Sequence, residues 1–116
     1  MIQKSLIEFF ILEAEEHIQR IEAGVAHLEK TPANIEEIDE ISRAAHTLKG
    51  AAALLKLRSI SETAYLLENT FKEVKNKRLP LNHALVLWVM KGTDTIKTLI
   101  RSIKDGKGED ASLVGL

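Results

Sequence analysis

Apolar residues recur at steps of three and four along most of this chain, and no other feature constrains its fold as strongly. This spacing places apolar side chains on one face of an α-helix, whereas a half-buried strand needs strict alternation, which no run here sustains. Only two of the 116 residues are prolines, so long helices can form without interruption. The sequence therefore predicts an all-α fold.

Four helices are predicted from the apolar stripes and from the signals between them. Pro32 ends the first helix, and Asn34 is a suitable N-cap for the second. The third begins with a capping box at Ser59–Glu62, and the fourth runs from about Leu81 to Ile103. Because the connections are short, neighbouring helices should pack antiparallel as a four-helix bundle over residues 1–105.

The core is predicted from the stripes. In the first two helices the apolar positions are Leu6, Phe10, Ala14, Ile18, Ile21, Val25, Leu28, Ile35, Ile38, Ile41, Ala45, Leu48, Ala52 and Leu55. In the last two they are Ile60, Ala64, Leu67, Phe71, Val74, Leu85, Val89, Ile96, Leu99 and Ile103. Trp88 lies where the fourth helix is apolar nearly all round, so we expect it in the core.

Residues 106–116 are predicted to be a linker or the truncated start of a further helix. The stretch 104–110 is polar and contains two glycines. Residues 111–116 are again mostly apolar, and then the sequence stops. We therefore expect a fifth helix that was cut near its beginning.

Composition and charge exclude several classes of function. The net charge is −1, and the densest basic stretch, 72–78, has no interleaved aromatic residues, so nucleic-acid binding is not expected. The chain has no cysteine, no histidine spacing typical of a metal site and no glycine loop for phosphate binding. We expect a soluble cytoplasmic domain that binds no metal and no cofactor and does not insert into a membrane.

The run 43–53 gives the clearest indication of function. Residues three and four apart are neighbours on a helix, so Lys49 and Gly50 lie one turn beyond His46. The strip around this histidine consists of small and polar residues: Ser42, His46, Lys49, Gly50 and Ala53. Because nothing bulky covers the imidazole, another protein should be able to reach it.

A histidine on such a strip can act as a nucleophile toward phosphorus. One ring nitrogen attacks while the other keeps its proton, and a carboxylate that accepts this proton's hydrogen bond fixes the tautomer. Packing of the second helix against the third would bring His46 beside Glu68, which we predict orients the ring. Lys49 is predicted to stabilise the phosphate. The surface for partner docking is predicted at Ser42, Gly50, Ala53 and Tyr65.

Two less specific interpretations remain open. Glu68 could be a solvated carboxylate that pairs with Lys72 at helical spacing, a contact worth about 0.3–0.5 kcal/mol. The whole chain could also be a structural or docking bundle without chemistry, in which the His46 face binds a partner helix. The other histidines, His17, His27 and His83, are interpreted as ordinary surface residues.

The segment His46–Gly50 resembles the His-x-x-Lys-Gly signature of histidine-containing phosphotransfer domains. The longer run Arg43–Gly50 is most similar to the N-terminal phosphotransfer domain of chemotaxis-type (CheA-like) histidine kinases. Phe9–Ile18 resembles their first helix and Ala64–Asn69 their third, so the resemblance covers about residues 5–105. One departure is Tyr65, which stands where some of these kinases have a second histidine.

This resemblance implies a phosphocarrier domain of a two-component signalling system. His46 would be phosphorylated by a histidine-kinase catalytic domain, and the phosphoryl group would pass to an aspartate of a response-regulator receiver domain. ATP and magnesium would be supplied at those partner domains, so this chain would be a carrier within a larger kinase. A free-standing phosphorelay module outside chemotaxis is the alternative.

Overall fold

The computed structural model describes residues 4–109, which fold into four α-helices: α1 (Lys4–Lys30), α2 (Ile35–Leu54), α3 (Arg58–Lys75) and α4 (His83–Lys104). Helices α1 and α3 each pack against both α2 and α4, and the contact of α2 with α3 is the most extensive. The predicted all-α four-helix fold is confirmed in this part of the chain. The predicted fifth helix, at 111–116, lies outside the described residues.

Ion pairs between helices show that neighbours run antiparallel. Asp39 precedes His46 along α2, but their partners on α3 occur in the reverse order. Asp39 Oδ1 lies 2.8 Å from Lys75 Nζ, whereas His46 contacts Glu68, which precedes Lys75. The pairs between α1 and α4 follow the same reversed order: Glu15 with Lys104, and Glu22 with Lys97. Over residues 4–109, no helix combines the length and the apolar character that crossing a bilayer requires.

Asparagine side chains define where two of the helices begin. The Asn34 side chain accepts a hydrogen bond from the Glu37 backbone N–H at 3.2 Å, as predicted for the start of α2. The Asn82 side chain does the same for the Leu85 N–H at 2.9 Å. Helix α4 therefore begins at His83, two residues after the predicted start, because Asn82 provides the cap and is itself extended.

The predicted capping box at the start of α3 is wrong. The helix begins one residue earlier than Ser59, and its N-cap, Leu57, forms no side-chain hydrogen bond. The free backbone N–H groups of Ser59 and Ile60 instead donate to the two carboxylate oxygens of Glu109, at 3.1 and 2.6 Å. A carboxylate that follows α4 thus caps α3 and lies near its positive dipole end.

Replacement of Glu109 with alanine should lower the free energy of unfolding by about 1 kcal/mol, the usual effect of losing a helix cap. Urea denaturation at neutral pH measures this loss. The matched variant is Ser59→Ala, which removes the hydroxyl of the predicted capping box and should change stability by less than about 0.5 kcal/mol. A larger loss for Ser59→Ala than for Glu109→Ala would contradict the capping role of Glu109.

The interior is aliphatic, and the predicted stripes are buried or partly buried except at two positions. Leu6 is 50% exposed and Ile35 is 56% exposed, and both lie in the first turn of a helix. Trp88 was also predicted incorrectly: it is 45% exposed. Helix α4 turns Val86 and Val89 into the core, so Trp88 remains outside.

Candidate functional site

The packing of α2 determines where His46 lies. The inward face of this helix around the site consists of Ala44, Ala45, Leu48 and Ala52, all buried. These residues fix the rotation of α2 about its axis, so His46 lies on the outer side next to α3. Its side chain is 63% exposed and reachable from solvent.

His46 forms a short hydrogen bond with a buried carboxylate. Its Nδ1 atom lies 2.7 Å from Glu68 Oε2, and the Glu68 side chain is only 4% exposed. An ionised carboxylate can only accept hydrogen bonds, so Nδ1 carries the proton in this bond. In the neutral ring the lone pair is therefore on Nε2, the nitrogen that does not bond Glu68.

Two lysines complete the surroundings of Glu68. Lys49 Nζ lies 2.8 Å from Oε1, and Lys72 Nζ lies 3.3 Å from Oε2, the same oxygen that accepts from His46. Burial raises the pKa of the Glu68 carboxyl, but the hydrogen bonds from Lys49, His46 and Lys72 together outweigh burial and hold this pKa below its ordinary value. The carboxylate is thus kept ionised beside the imidazole.

Lys49 is held between two groups of α3. Besides its bond to Glu68, its ammonium lies 5.4 Å from the centroid of the Tyr65 ring, within the range of a cation–π contact. The Lys49 backbone carbonyl accepts a hydrogen bond from Ser61 Oγ at 3.2 Å. The sequence predicts Lys49 as a cation for the phosphate, and in the structure its ammonium pairs with the Glu68 carboxylate. Its role toward a phosphate stays a prediction.

Three of the four predicted docking residues lie along α2, on both sides of His46, and the fourth lies on α3. Gly50 and Ala53 are exposed on the C-terminal side, and a Cβ atom built at Gly50 would have nothing within 4 Å. Ser42 is half-buried on the N-terminal side, in a groove between α2 and α3. Tyr65 is exposed on α3 beside Lys49.

Sequence reasoning did not include the cations on the N-terminal side of His46. Arg43, Lys72 and Lys75 line the same groove as Ser42 and His46. Within the site, Lys72 was predicted as an alternative partner of Glu68, but its ion pair and the bond from His46 exist together. The spacing of Lys72 and Lys75 relative to Glu68 could have indicated this wall of the groove.

Acid should weaken the fold through Glu68. Because the pKa of Glu68 is lowered in the folded state, the unfolded chain binds more protons once the pH falls below about 5, and stability decreases as the pH drops further toward the folded-state pKa. Urea unfolding at several pH values should show a shallower dependence in Glu68→Gln than in the unmodified protein. Glu40→Gln, at an exposed position, controls for the loss of a carboxyl group. Parallel curves for Glu68→Gln and the unmodified protein would show that Glu68 makes no such contribution.

The other histidines lie away from this site. His27 Nδ1 is 3.5 Å from Glu37, and His83 Nδ1 is 3.7 Å from Glu29, both at exposed positions. Within residues 4–109, no group of three or more histidine, aspartate or glutamate side chains could hold a metal ion.

Comparison with known proteins identifies the family. The family model described as the Hpt domain matches residues 5–106. The chemotaxis protein CheA of Listeria monocytogenes is 33% identical over 102 residues, which cover 88% of this chain and 16% of that protein. The CheA protein of Borreliella burgdorferi is 34% identical over 104 residues, covering 90% of this chain and 12% of that protein. The chain thus spans a small part of the length of these curated relatives.

Solved structures agree with this family. The CheA phosphotransferase domain from Thermotoga maritima has a TM-score of 0.84 and 28% sequence identity, with 89% of this chain and 98% of that chain covered. The solution structure of the histidine phosphotransfer domain of CheA has a TM-score of 0.81 and 28% identity, with 94% and 82% covered. The chain therefore belongs to the Hpt domain family and is homologous to the phosphotransfer domain of CheA.

Proposed function

We propose that this domain carries a phosphoryl group on His46, received from a histidine-kinase catalytic domain and delivered to an aspartate of a receiver domain. Membership of the Hpt family implies a phosphocarrier role in two-component signalling. The observation that supports His46 most directly is the 2.7 Å bond between the Nδ1 atom of this exposed histidine and the buried Glu68.

In the first transfer, the Nε2 lone pair attacks the γ-phosphorus of ATP. The bond between Nε2 and phosphorus forms, and the bond from phosphorus to the bridging oxygen breaks, with ADP as the leaving group. The proton stays on Nδ1, and Glu68 stabilises the positive charge that develops on the ring. ATP and magnesium are held by the kinase domain, and this domain contributes only the nucleophile and its orientation.

In the second transfer, an aspartate oxygen of the receiver attacks the same phosphorus. The bond from phosphorus to Nε2 breaks, and its electron pair returns to the imidazole. The ring is then neutral again, with Nδ1 still bonded to Glu68. Lys49, one turn from His46, is the proposed cation for the phosphoryl oxygens in both transfers.

The burial of Glu68 favours this carrier over a docking bundle without chemistry. Burial of a carboxylate destabilises the fold unless charged or hydrogen-bonding partners surround it. The partners of Glu68 include the exposed His46 itself. The CheA relatives favour the chemotaxis type over a free-standing phosphorelay module. A cytoplasmic location follows from the proposed dependence on ATP.

The proposal is tested by incubation with a chemotaxis-type kinase core, ATP and magnesium, followed by intact mass measurement and peptide mapping. A single acid-labile phosphate on His46 is the expected result. A known phosphotransfer domain, incubated in parallel, shows that the kinase core is active. If that domain and not this one is labelled, and a panel of kinase cores gives the same result, the carrier role is wrong.

A further inference from the structure

Two side chains meet at one oxygen of the buried Glu68 carboxylate. His46 Nδ1 lies 2.7 Å from Oε2 and Lys72 Nζ lies 3.3 Å from the same atom, whereas Lys49 Nζ lies 2.8 Å from Oε1. The proposed transfers use His46, Glu68 and Lys49, and Lys72 has no part in them. The position of Lys72, on the oxygen that orients the ring, is thus not accounted for by those transfers.

A carboxylate that bonds an imidazole has two effects on the ring. The bond fixes a proton on Nδ1 and leaves the lone pair on Nε2, which the proposed function needs. The negative charge also favours the protonated ring, because an opposite charge within about 4–6 Å stabilises a cation. In the protonated ring both nitrogens carry protons, so neither can attack phosphorus. Glu68 therefore favours the correct tautomer and also the inactive, protonated form.

The ammonium of Lys72 opposes the second effect and leaves the first intact. Because Lys72 Nζ and His46 Nδ1 both contact Oε2, the two nitrogens lie at most about 6 Å apart. A positive charge on the ring is therefore destabilised by repulsion from the ammonium. A carboxylate oxygen has two lone pairs, so Lys72 and the Nδ1 proton can share Oε2 without breaking the bond that fixes the tautomer.

Other charged and titratable groups of α2 and α3 also surround His46. They are Asp39, Arg43, Lys49, Tyr65, Glu68, Lys72 and Lys75. Asp39 and Lys75 pair with each other at 2.8 Å, so their charges largely cancel at the ring. Arg43 and Lys49 add positive charge from α2, but in residues 4–109 only Lys72 shares Oε2 with His46. In the proposed transfers Lys49 turns to the phosphoryl oxygens, and Lys72 is the cation that stays on Glu68.

We propose that Lys72 is a positioning residue that keeps the His46 ring neutral, and therefore nucleophilic, near neutral pH. The inference rests on the proposed function for the use of the Nε2 lone pair. In this role Lys72 acts through Glu68 and through its charge, and it needs no contact with the phosphoryl group. Removal of the charge should raise the pH at which the ring loses its proton.

The test is Lys72→Met, which removes the charge and keeps an unbranched side chain at an exposed position. NMR follows the His46 ring of the unphosphorylated, isotope-labelled protein at low salt, from about pH 5 to about pH 9. The titration midpoint should move upward by about half a pH unit, the effect of a unit charge about 6 Å away at a solvated surface. Lys72→Arg keeps the charge and should retain the unmodified midpoint. Lys91→Met makes the same change in net charge at an exposed position of α4 and should not move the midpoint.

The pH dependence of labelling separates this role from a structural one. Half a pH unit is about a threefold change in the protonation equilibrium, so Lys72→Met should be labelled about two- to threefold more slowly at about pH 6. At about pH 8.5, where the ring is neutral in both proteins, the two rates should agree. Single-turnover labelling at saturating kinase core and ATP measures these rates. An equal loss of rate at both pH values would indicate a structural role and overturn the proposal.

An unchanged titration midpoint in Lys72→Met, or an equal shift in Lys91→Met, would also overturn it. The titration needs no phosphorylation, so its outcome does not depend on whether His46 accepts phosphate. If the midpoint moves as expected and the unmodified protein is never labelled, Lys72 controls the protonation of the ring and the proposed function alone is wrong.

Discussion

Replacement of His46 with glutamine should abolish phosphorylation by the kinase core and leave the bundle folded. Glutamine has no nitrogen lone pair that can attack phosphorus, so the loss should be complete. The position is mostly exposed, and Glu68 keeps Lys49 and Lys72 as partners, so the free energy of unfolding should change by less than about 1 kcal/mol. Intact mass after labelling measures the first effect, and urea denaturation the second.

The matched control is His83→Gln, which removes an exposed histidine from α4 and should leave labelling unchanged. Phosphate retained by His46→Gln would place the acceptor elsewhere. A large loss of stability in that variant would show that His46 is needed for the fold, against the interpretation of an exposed nucleophile.

Replacement of Glu68 with alanine should slow phosphorylation by about 10–100-fold, the effect that is typical of removing a carboxylate that orients a metal-ligating histidine. The ring would lose the acceptor of its Nδ1 proton, so either nitrogen could be protonated and the imidazolium would be less stabilised. Single-turnover labelling at saturating kinase measures the rate. His46 remains, so labelling should still reach completion.

Glu68→Gln is the informative companion variant because it keeps the shape of the side chain and removes its charge. Its amide oxygen can still accept from Nδ1, so its rate should lie between those of Glu68→Ala and the unmodified protein. NMR of the His46 ring should show a mixture of tautomers in Glu68→Ala only. If both variants are labelled at the unmodified rate, Glu68 is not part of the site.

Much of the fold was predictable because helical periodicity is a local signal. The turn between α1 and α2 and the Asn34 N-cap could be predicted from neighbouring residues alone. The exposure of His46 could be predicted in the same way, because the apolar stripe of α2 contains the buried alanines and leaves His46 outside it. The cap of α3 was not predictable in this way. Glu109 is separated from Ser59 by 50 residues, and only the folded bundle brings them together.

Two glycines within helices show the same limit. In the sequence, Gly24 and Gly50 look alike, since each interrupts a helical pattern at a cost of about 1 kcal/mol relative to alanine. In the structure, a Cβ atom at Gly24 would lie 2.6 Å from Ile41 Cγ1, so this glycine allows α1 and α2 to approach closely. At Gly50 the same atom would meet open space. Only the tertiary packing distinguishes the roles of Gly24 and Gly50.

The partners of Lys49 were not predictable either. A lysine one turn from a histidine can turn toward solvent, toward a ligand or toward the next helix, and sequence spacing does not distinguish these. The structure selects the next helix, where Glu68 and Tyr65 both attract the ammonium. The contacts of Lys49 with Glu68 and Tyr65 could therefore not be predicted from its position one turn after His46.

The capping bond of Glu109 also has a consequence for how any attached domain would reach His46. It holds the chain at the N-terminus of α3, where Ile60 lies about 12 Å from Glu68 along the helix axis. For a domain joined after Glu109 by a flexible linker, the linker would start about two helical turns from the imidazole. The effective concentration of the domain at His46 then depends on the length of that linker. Breaking the hydrogen bonds of Glu109 would lengthen the flexible connection and lower the effective concentration of the domain at His46. No residue that bonds His46 would be altered.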